Sequence, residues 1–226
     1  KRRSHNMVRA VSQDKQGRIW IGTDQDGIDI LDKKTGEVRQ LRNKTGDERS
    51  LQNNTVMVLY EDSSETMWVG TYKKGISYFN ECAFKFGAEY IGDISCIEED
   101  KEGYVWLGTN DVGIIYWNSV TGNRAAFPQK GMDKLTTDAI VCILKAGDGK
   151  LWIGTFGGGL ICYDNGRIIH YKKNIPERQN SLAHNNVLAL AEDKQGIIWI
   201  GTLGGGVQSL NPKTGLFTTY NTTSAG

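Results

Sequence analysis

Apolar residues recur in short alternating runs, and no stretch sustains the i, i+3, i+4, i+7 spacing of a helix over three turns. The runs themselves repeat. Each begins with a β-branched aliphatic (Val8, Val56, Ile94, Ile140, Val187) and continues through a small or medium residue (Ala10, Val58, Cys96, Cys142, Ala189). It then reaches a second aliphatic (Val11, Leu59, Ile97, Ile143, Leu190). Both alternating faces are apolar, which predicts a strand covered on both sides. Twelve residues after the first aliphatic comes a tryptophan that opens a second run. It reads Trp20-Ile21-Gly22-Thr23, Trp68-Val69-Gly70-Thr71, Trp106-Leu107-Gly108-Thr109, Trp152-Ile153-Gly154-Thr155 and Trp199-Ile200-Gly201-Thr202. Tryptophan and glycine share one face of this strand, so the missing Cβ predicts a slot beside or beneath a neighbouring large ring.

Turns separate these runs. Asp14-Lys15-Gln16-Gly17, Asp100-Lys101-Glu102-Gly103 and Asp193-Lys194-Gln195-Gly196 join the first two strands, with Asp148-Gly149 and Asp62-Ser63-Ser64 as variants. Asp at the start and Gly at a positive-φ position suit a short hairpin. Four residues after each threonine a glycine (Gly27, Gly75, Gly113, Gly159, Gly206) opens a third run. That run carries a large residue (Leu31, Phe79, Trp117, Tyr163, Leu210) and closes on Asp or Asn. A fourth segment follows in most repeats, as in Glu37–Leu41 and Leu216–Tyr220.

From the first aliphatic to the closing Asp/Asn is 24 residues in every repeat, whereas the distance onward to the next aliphatic is 24, 14, 22 and 23. Three strands form a constant block, and length varies only in the outer strand and the crossing. The expectation is an all-β chain: a β-propeller of five four-stranded antiparallel blades, at about 5–49, 50–91, 92–135, 136–180 and 181–221, with residues 1–226 as one propeller segment.

The three residues after each threonine keep their number but change their content: Asp24-Gln25-Asp26, Tyr72-Lys73-Lys74, Asn110-Asp111-Val112, Phe156-Gly157-Gly158 and Leu203-Gly204-Gly205. A fixed backbone with varied side chains is how a scaffold presents a binding surface. The candidate ligand-binding residues are Asp24, Asp26, Tyr72, Lys73, Lys74, Asn110, Asp111 and Phe156, because sugars need aromatic stacking together with polar clamps. Bland solvated surface is the competing reading. Asn6, Asn54, Asp138 and Asn185 stand two residues before the key aliphatic at the same end of each repeat, with Gly92 in the third; their side chains are expected to cap turns.

Charge narrows the field. With 27 basic against 26 acidic residues and no block of either sign, nothing suggests nucleic-acid binding. No basic amphipathic helix or long apolar run suggests membrane contact by this segment. The opening Lys1-Arg2-Arg3 lacks a methionine, which leads us to expect a piece of a longer protein. Cys96 and Cys142 occupy the alanine/valine register and read as core residues; with Cys82 and Cys162 they do not suggest a disulfide framework.

Catalytic chemistry is not visible. Phe156-Gly157-Gly158-Gly159 and Leu203-Gly204-Gly205-Gly206 lack the Lys-Ser/Thr of a phosphate loop. Asp24-Gln25-Asp26-Gly27 starts like a calcium loop, but Thr35 stands where the bidentate Glu belongs. His5, His170 and His184 have no partners at metal spacing, and there is no Gly-x-Ser-x-Gly elbow. We therefore expect no catalytic residues, no metal and no cofactor.

The composite pattern, carried most completely by Asn185–Val207 with Ser181-Leu182 as lead-in, resembles the two-component regulator propeller repeat. It departs at Ala146 (turn Asp), Glu65-Thr66 (turn Gly) and Gly92 (lead-in Asn). The resemblance implies the periplasmic sensor region of a hybrid two-component histidine kinase, recognising oligosaccharides from polysaccharide breakdown and regulating genes for their use. It implies a ring of about seven blades, further domains of the parent sensor as partners, and a homodimer. It implies no catalytic residues. Two other functions stay open: a structural or dimerisation segment with the ligand site elsewhere, and a propeller polysaccharide lyase or glycosidase.

Overall fold

The alternating pattern predicts strands, and in the computed structural model all regular elements among the described residues are strands. The structure describes residues 7–47, 49–81, 85–118, 121–128, 135, 139–173 and 180–220. Asn6, His5, Cys82 and Asp138, named above, lie outside the described residues.

Twenty strands form five antiparallel four-stranded sheets, each meandering in chain order. The first holds β1 (Val8–Gln13), β2 (Ile19–Thr23), β3 (Ile28–Leu31) and β4 (Val38–Leu41), and the second β5 (Val56–Glu61), β6 (Met67–Thr71), β7 (Gly75–Asn80) and β8 (Lys85–Glu89). The third holds β9 (Ile94–Glu99), β10 (Tyr104–Thr109), β11 (Ile114–Asn118) and β12 (Arg124–Phe127). The fourth is β13 (Ile140–Lys145), β14 (Leu151–Thr155), β15 (Leu160–Asp164) and β16 (Arg167–Tyr171); the fifth is β17 (Val187–Glu192), β18 (Ile198–Thr202), β19 (Gly206–Asn211) and β20 (Leu216–Tyr220). All five first hairpins share one register, with Trp paired to the fourth residue after the first aliphatic (Ser12, Tyr60, Glu98, Leu144, Ala191) and a bulge beside that aliphatic.

The chain falls into two compact units, residues 1–112 with 116–124 and residues 113–115 with 125–226. In the first unit, Trp20 is buried with Val56, Leu59, Met67 and Val69 of the second sheet. The large-residue position of the following sheet covers two of the tryptophans: Phe79 lies 5.9 Å from Trp20, and Trp117 lies 5.1 Å edge-on from Trp68. In the second unit, Trp152 is buried with Ile198, Ile200 and Leu210 in the same way.

The glycine beside each tryptophan corrects one expectation. At Gly22, Gly70 and Gly154 the slot is filled not by a ring but by the β-branched residue that opens the next sheet, together with the residue opposite on the first strand (Ala10, Val58, Cys142). A Cβ on Gly22 would lie 2.6 Å from Val56 Cγ1, one on Gly70 2.8 Å from Ile94 Cγ2, and one on Gly154 2.7 Å from Val187 Cγ1. A branch at Cβ widens the side chain where the backbone notch is deepest, which accounts for valine or isoleucine in that register. The expectation of two covered faces also fails for β1, where Val8 and Val11 are 52% and 63% exposed. No described strand packs over that side of them.

Carboxylates link neighbouring sheets at the hairpin end. Glu61 accepts the Lys15 N–H (2.9 Å), Glu99 the Ser63 N–H (2.8 Å) and Glu192 the Gly147 N–H (2.7 Å). All three stand five residues after the key aliphatic, at the end of the first strand. Arg18 adds a second link, bonding Asp14 at 2.6 Å and Glu81 at 3.0 Å.

Candidate functional site

The threonine of the repeat builds the loop that follows it. Its hydroxyl donates to the carbonyl of the glycine four residues on, in Thr23–Gly27 (2.9 Å), Thr71–Gly75 (3.0 Å), Thr155–Gly159 (2.8 Å) and Thr202–Gly206 (3.1 Å). The next residue then donates its N–H to the carbonyl just before the key aliphatic. This bond occurs in every repeat: Asp24 to Met7, Tyr72 to Thr55, Asn110 to Asp93, Phe156 to Ala139 and Leu203 to Asn186, all at 2.9–3.0 Å. Five loops thus share one backbone and differ in what they display.

Two lead-in residues bond the backbone where the crossing from the previous sheet begins. Asn54 Oδ1 accepts the Asn43 N–H at 2.7 Å, and Asn185 Oδ1 accepts the Lys173 N–H at 2.8 Å. Their carbonyls receive the N–H of Gly27 and Gly159. In the third repeat Gly92 takes this place at φ +101, where a Cβ would lie 2.6 Å from Asp111 Oδ1.

In the first unit the candidate residues divide into engaged and open groups. Asp24 pairs with Arg9 Nε at 3.0 Å and Asp26 with Arg42 at 3.4 Å, so both carboxylates have cationic neighbours. Asp111 Oδ1 accepts the Asp93 N–H at 3.0 Å, and Asn110 Nδ2 reaches Asp93 Oδ2 at 3.4 Å. Tyr72 is an exposed ring with the Lys73 ammonium 5.0 Å from its centre. The tyrosine hydroxyl as partner raises the Lys73 pKa above the ordinary lysine value. Lys73 itself sits at φ +55, held by its N–H to Asp93 Oδ1 (3.2 Å), and Lys74 is exposed. In the second unit Phe156 is 55% exposed. Leu203, not singled out by sequence, matches it in register and is 49% exposed.

Sequence reasoning missed the second task of the hairpin aspartates. Each accepts the indole N–H of the tryptophan six residues later: Trp20 to Asp14 (2.7 Å), Trp68 to Asp62 (2.8 Å), Trp106 to Asp100 (2.8 Å) and Trp199 to Asp193 (2.9 Å). The constant spacing of six was the available signal. Burial pushes Asp14 up, but hydrogen bonds from Trp20 and Arg18 outweigh it and hold the carboxyl below its usual range. These aspartates are structural acceptors, not acid–base groups.

Among the described residues no group of three His, Cys, Asp or Glu side chains is arranged to hold a metal ion, and no helix is long and apolar enough to cross a membrane.

Meandering four-stranded sheets, keyed to their neighbours within each unit through a buried tryptophan, a glycine notch and a carboxylate link, define a β-propeller chain. The chain belongs to the two component regulator propeller family, whose repeat matches residues 3–25, 50–73, 91–111, 134–157 and 181–204. It is similar in fold to the extracellular domain of a hybrid two component system from B. thetaiotaomicron, at 24% identity and a TM-score of 0.80, covering 96% of this chain and 30% of that one. The extracellular domain of a one component system from the same organism superposes with a TM-score of 0.73 at 18% identity, covering 96% and 31%. Virginiamycin B lyase from Staphylococcus aureus shares the fold at 15% identity and a TM-score of 0.71, covering 96% and 71%. The chain therefore spans under a third of each of these two extracellular domains. No curated protein sequence matches it.

Proposed function

We propose that this chain is part of the periplasmic ligand-sensing region of a hybrid two-component sensor, responding to oligosaccharides released from polysaccharides and regulating genes for their use. The observation that carries the reading is the loop after the threonine. One N–H···O=C bond holds its backbone in all five repeats, while its side chains run from Asp24 and Asn110 to Tyr72, Phe156 and Leu203. Such an array presents stacking surfaces and polar groups at one end of each blade, the mixture that carbohydrate recognition needs. Family membership and the similarity to the extracellular domain of a hybrid two component system support it. In the parent protein, further blades of a ring of about seven, further domains and a second subunit would carry the signal, which passes by domain rearrangement and adds no catalytic step here.

A structural role is the second reading, and one observation favours it: Asp24, Asp26 and Asp111 are occupied by Arg9, Arg42 and a backbone N–H within the chain. A thermal-shift screen against glycan fragments separates the two. A shift with one class of fragment is expected; silence across the set points to the structural role.

A further inference from the structure

In the second unit a single residue bonds the two loops that carry the exposed Phe156 and Leu203. Asn186 Oδ1 accepts the N–H of Gly157, which follows Phe156, at 2.7 Å; its carbonyl accepts the N–H of Leu203 at 3.0 Å. Asn186 in turn donates its N–H to His184 Nδ1 at 3.0 Å, so the imidazole proton lies on Nε2. The corresponding pivot of the first unit, Asp93, joins Lys73 to Asn110 instead, a charged and polar pair.

Gly157 and Gly204 occupy the second loop position at φ +83 and +91, a conformation that favours glycine, although Gln25 and Lys73 hold the same position at φ +89 and +55. Packing adds no requirement, because a Cβ on Gly157 or Gly204 would meet nothing within 4 Å. Gly205, by contrast, is explained by Thr202 and Ala183, at 2.6 and 2.8 Å from its would-be Cβ. With no side chain at Gly157 or Gly204, the approach to the exposed Phe156 and Leu203 is open.

We infer that Phe156-Gly157 and Leu203-Gly204, joined through Asn186, form a stacking subsite for a neutral pyranose ring. The ring lays its face of C–H bonds on Phe156 and over the two glycines. The Asn186 amide Nδ2, whose Oδ1 already fixes its orientation, donates to a ring hydroxyl, as does His184 Nε2. The named contacts are an aromatic ring, bare backbone, an amide and an imidazole, which suit a neutral sugar; Lys172, whose stem lies beside Gly159, is a cation that a uronate would use, and the uronate arm of the titration tests it. The inference rests on the oligosaccharide reading above and names where and what kind of residue binds.

The test is calorimetric titration of the chain with neutral oligosaccharides from β-glucan, xylan, mannan and galactan, and with uronate oligomers from pectin. The variants are Phe156→Ala, Gly157→Asn and Tyr72→Ala, with Leu216→Ala on an outer strand as control and far-UV circular dichroism as the check on folding. Asparagine tolerates positive φ, so Gly157→Asn obstructs that approach without breaking the turn. Expected is binding of a neutral oligosaccharide that Phe156→Ala and Gly157→Asn each weaken about tenfold or more, the size expected when a stacking contact is lost, while Leu216→Ala leaves it unchanged. Binding of uronates alone, or of neutral sugars with a loss on Tyr72→Ala and none on Phe156→Ala, overturns the subsite and leaves the sensor reading standing. Absence of binding across the whole panel overturns that reading, and the subsite with it.

Discussion

Ala146 stands six residues before Trp152, where the other four repeats place an aspartate, and the buried indole Nε1 of Trp152 has no hydrogen-bond partner. In the other four repeats the tryptophan donates this N–H to a carboxylate. The fourth hairpin makes do with Asp148, which accepts the N–H of its near neighbour Lys150 at 3.1 Å.

Restoring the acceptor should stabilise the protein. Ala146→Asp is expected to gain about 1 kcal/mol, and Asp62→Ala to lose about 1–3 kcal/mol by orphaning Trp68 Nε1 and two backbone N–H groups. Asp62 already tolerates Glu99 bonded to the adjacent residue, so Glu192 beside Gly147 is no obstacle to the new carboxylate. Urea unfolding followed by tryptophan fluorescence measures both; an unchanged midpoint for Ala146→Asp counts against this account.

The glycine notches should differ in tolerance according to what lies in them. Gly22→Ala drives a methyl into Val56 and is expected to cost about 1–3 kcal/mol. At Gly201 the nearest atom to a new Cβ is Ala189 Cβ at 3.5 Å, so Gly201→Ala should stay within about 0.5 kcal/mol. Equal costs at the two sites would show that the notch is not what the valine fills.

Acid should loosen the hairpin ends. The indole of Trp199 first, and then backbone N–H groups, hold Asp193 below its ordinary pKa, and the net shift of Asp14 has the same sign. A depressed carboxylate stabilises the fold above its unfolded pKa of about 3.9 and loses that contribution as pH falls through the lower folded value. Stability should therefore drop below about pH 4, and Asp193→Asn should flatten that part of the profile. A profile identical to the wild type refutes the assignment.

Burial pushes the Cys162 thiol up to about 12, so it is almost wholly protonated at neutral pH. Iodoacetamide at pH 8 should leave Cys162 unmodified in the native protein and label it in urea, read by peptide mass mapping. Native labelling of Cys162 as fast as of Cys96 or Cys142 would contradict its burial.

The repeat was legible because its constraints are local and periodic. Alternation set the strands, the Asp-to-Gly turns set the hairpins, and constant spacing around Trp-x-Gly-Thr separated a rigid block from variable crossings; even the bond from Trp20 to Asp14 was implicit in a spacing. The positions of the varied loops were legible for the same reason. Which of their side chains are open was not, because that depends on residues distant in sequence. Asp26 is paired by Arg42, Gly157 is pinned by Asn186, and Leu203 stands exposed beside the same asparagine. The partner of each glycine notch was hidden likewise, since Gly22 meets Val56 only when two sheets stack. Backbone geometry repeats with the sequence, whereas contacts between repeats arise where one face meets another, and only the folded chain decides those.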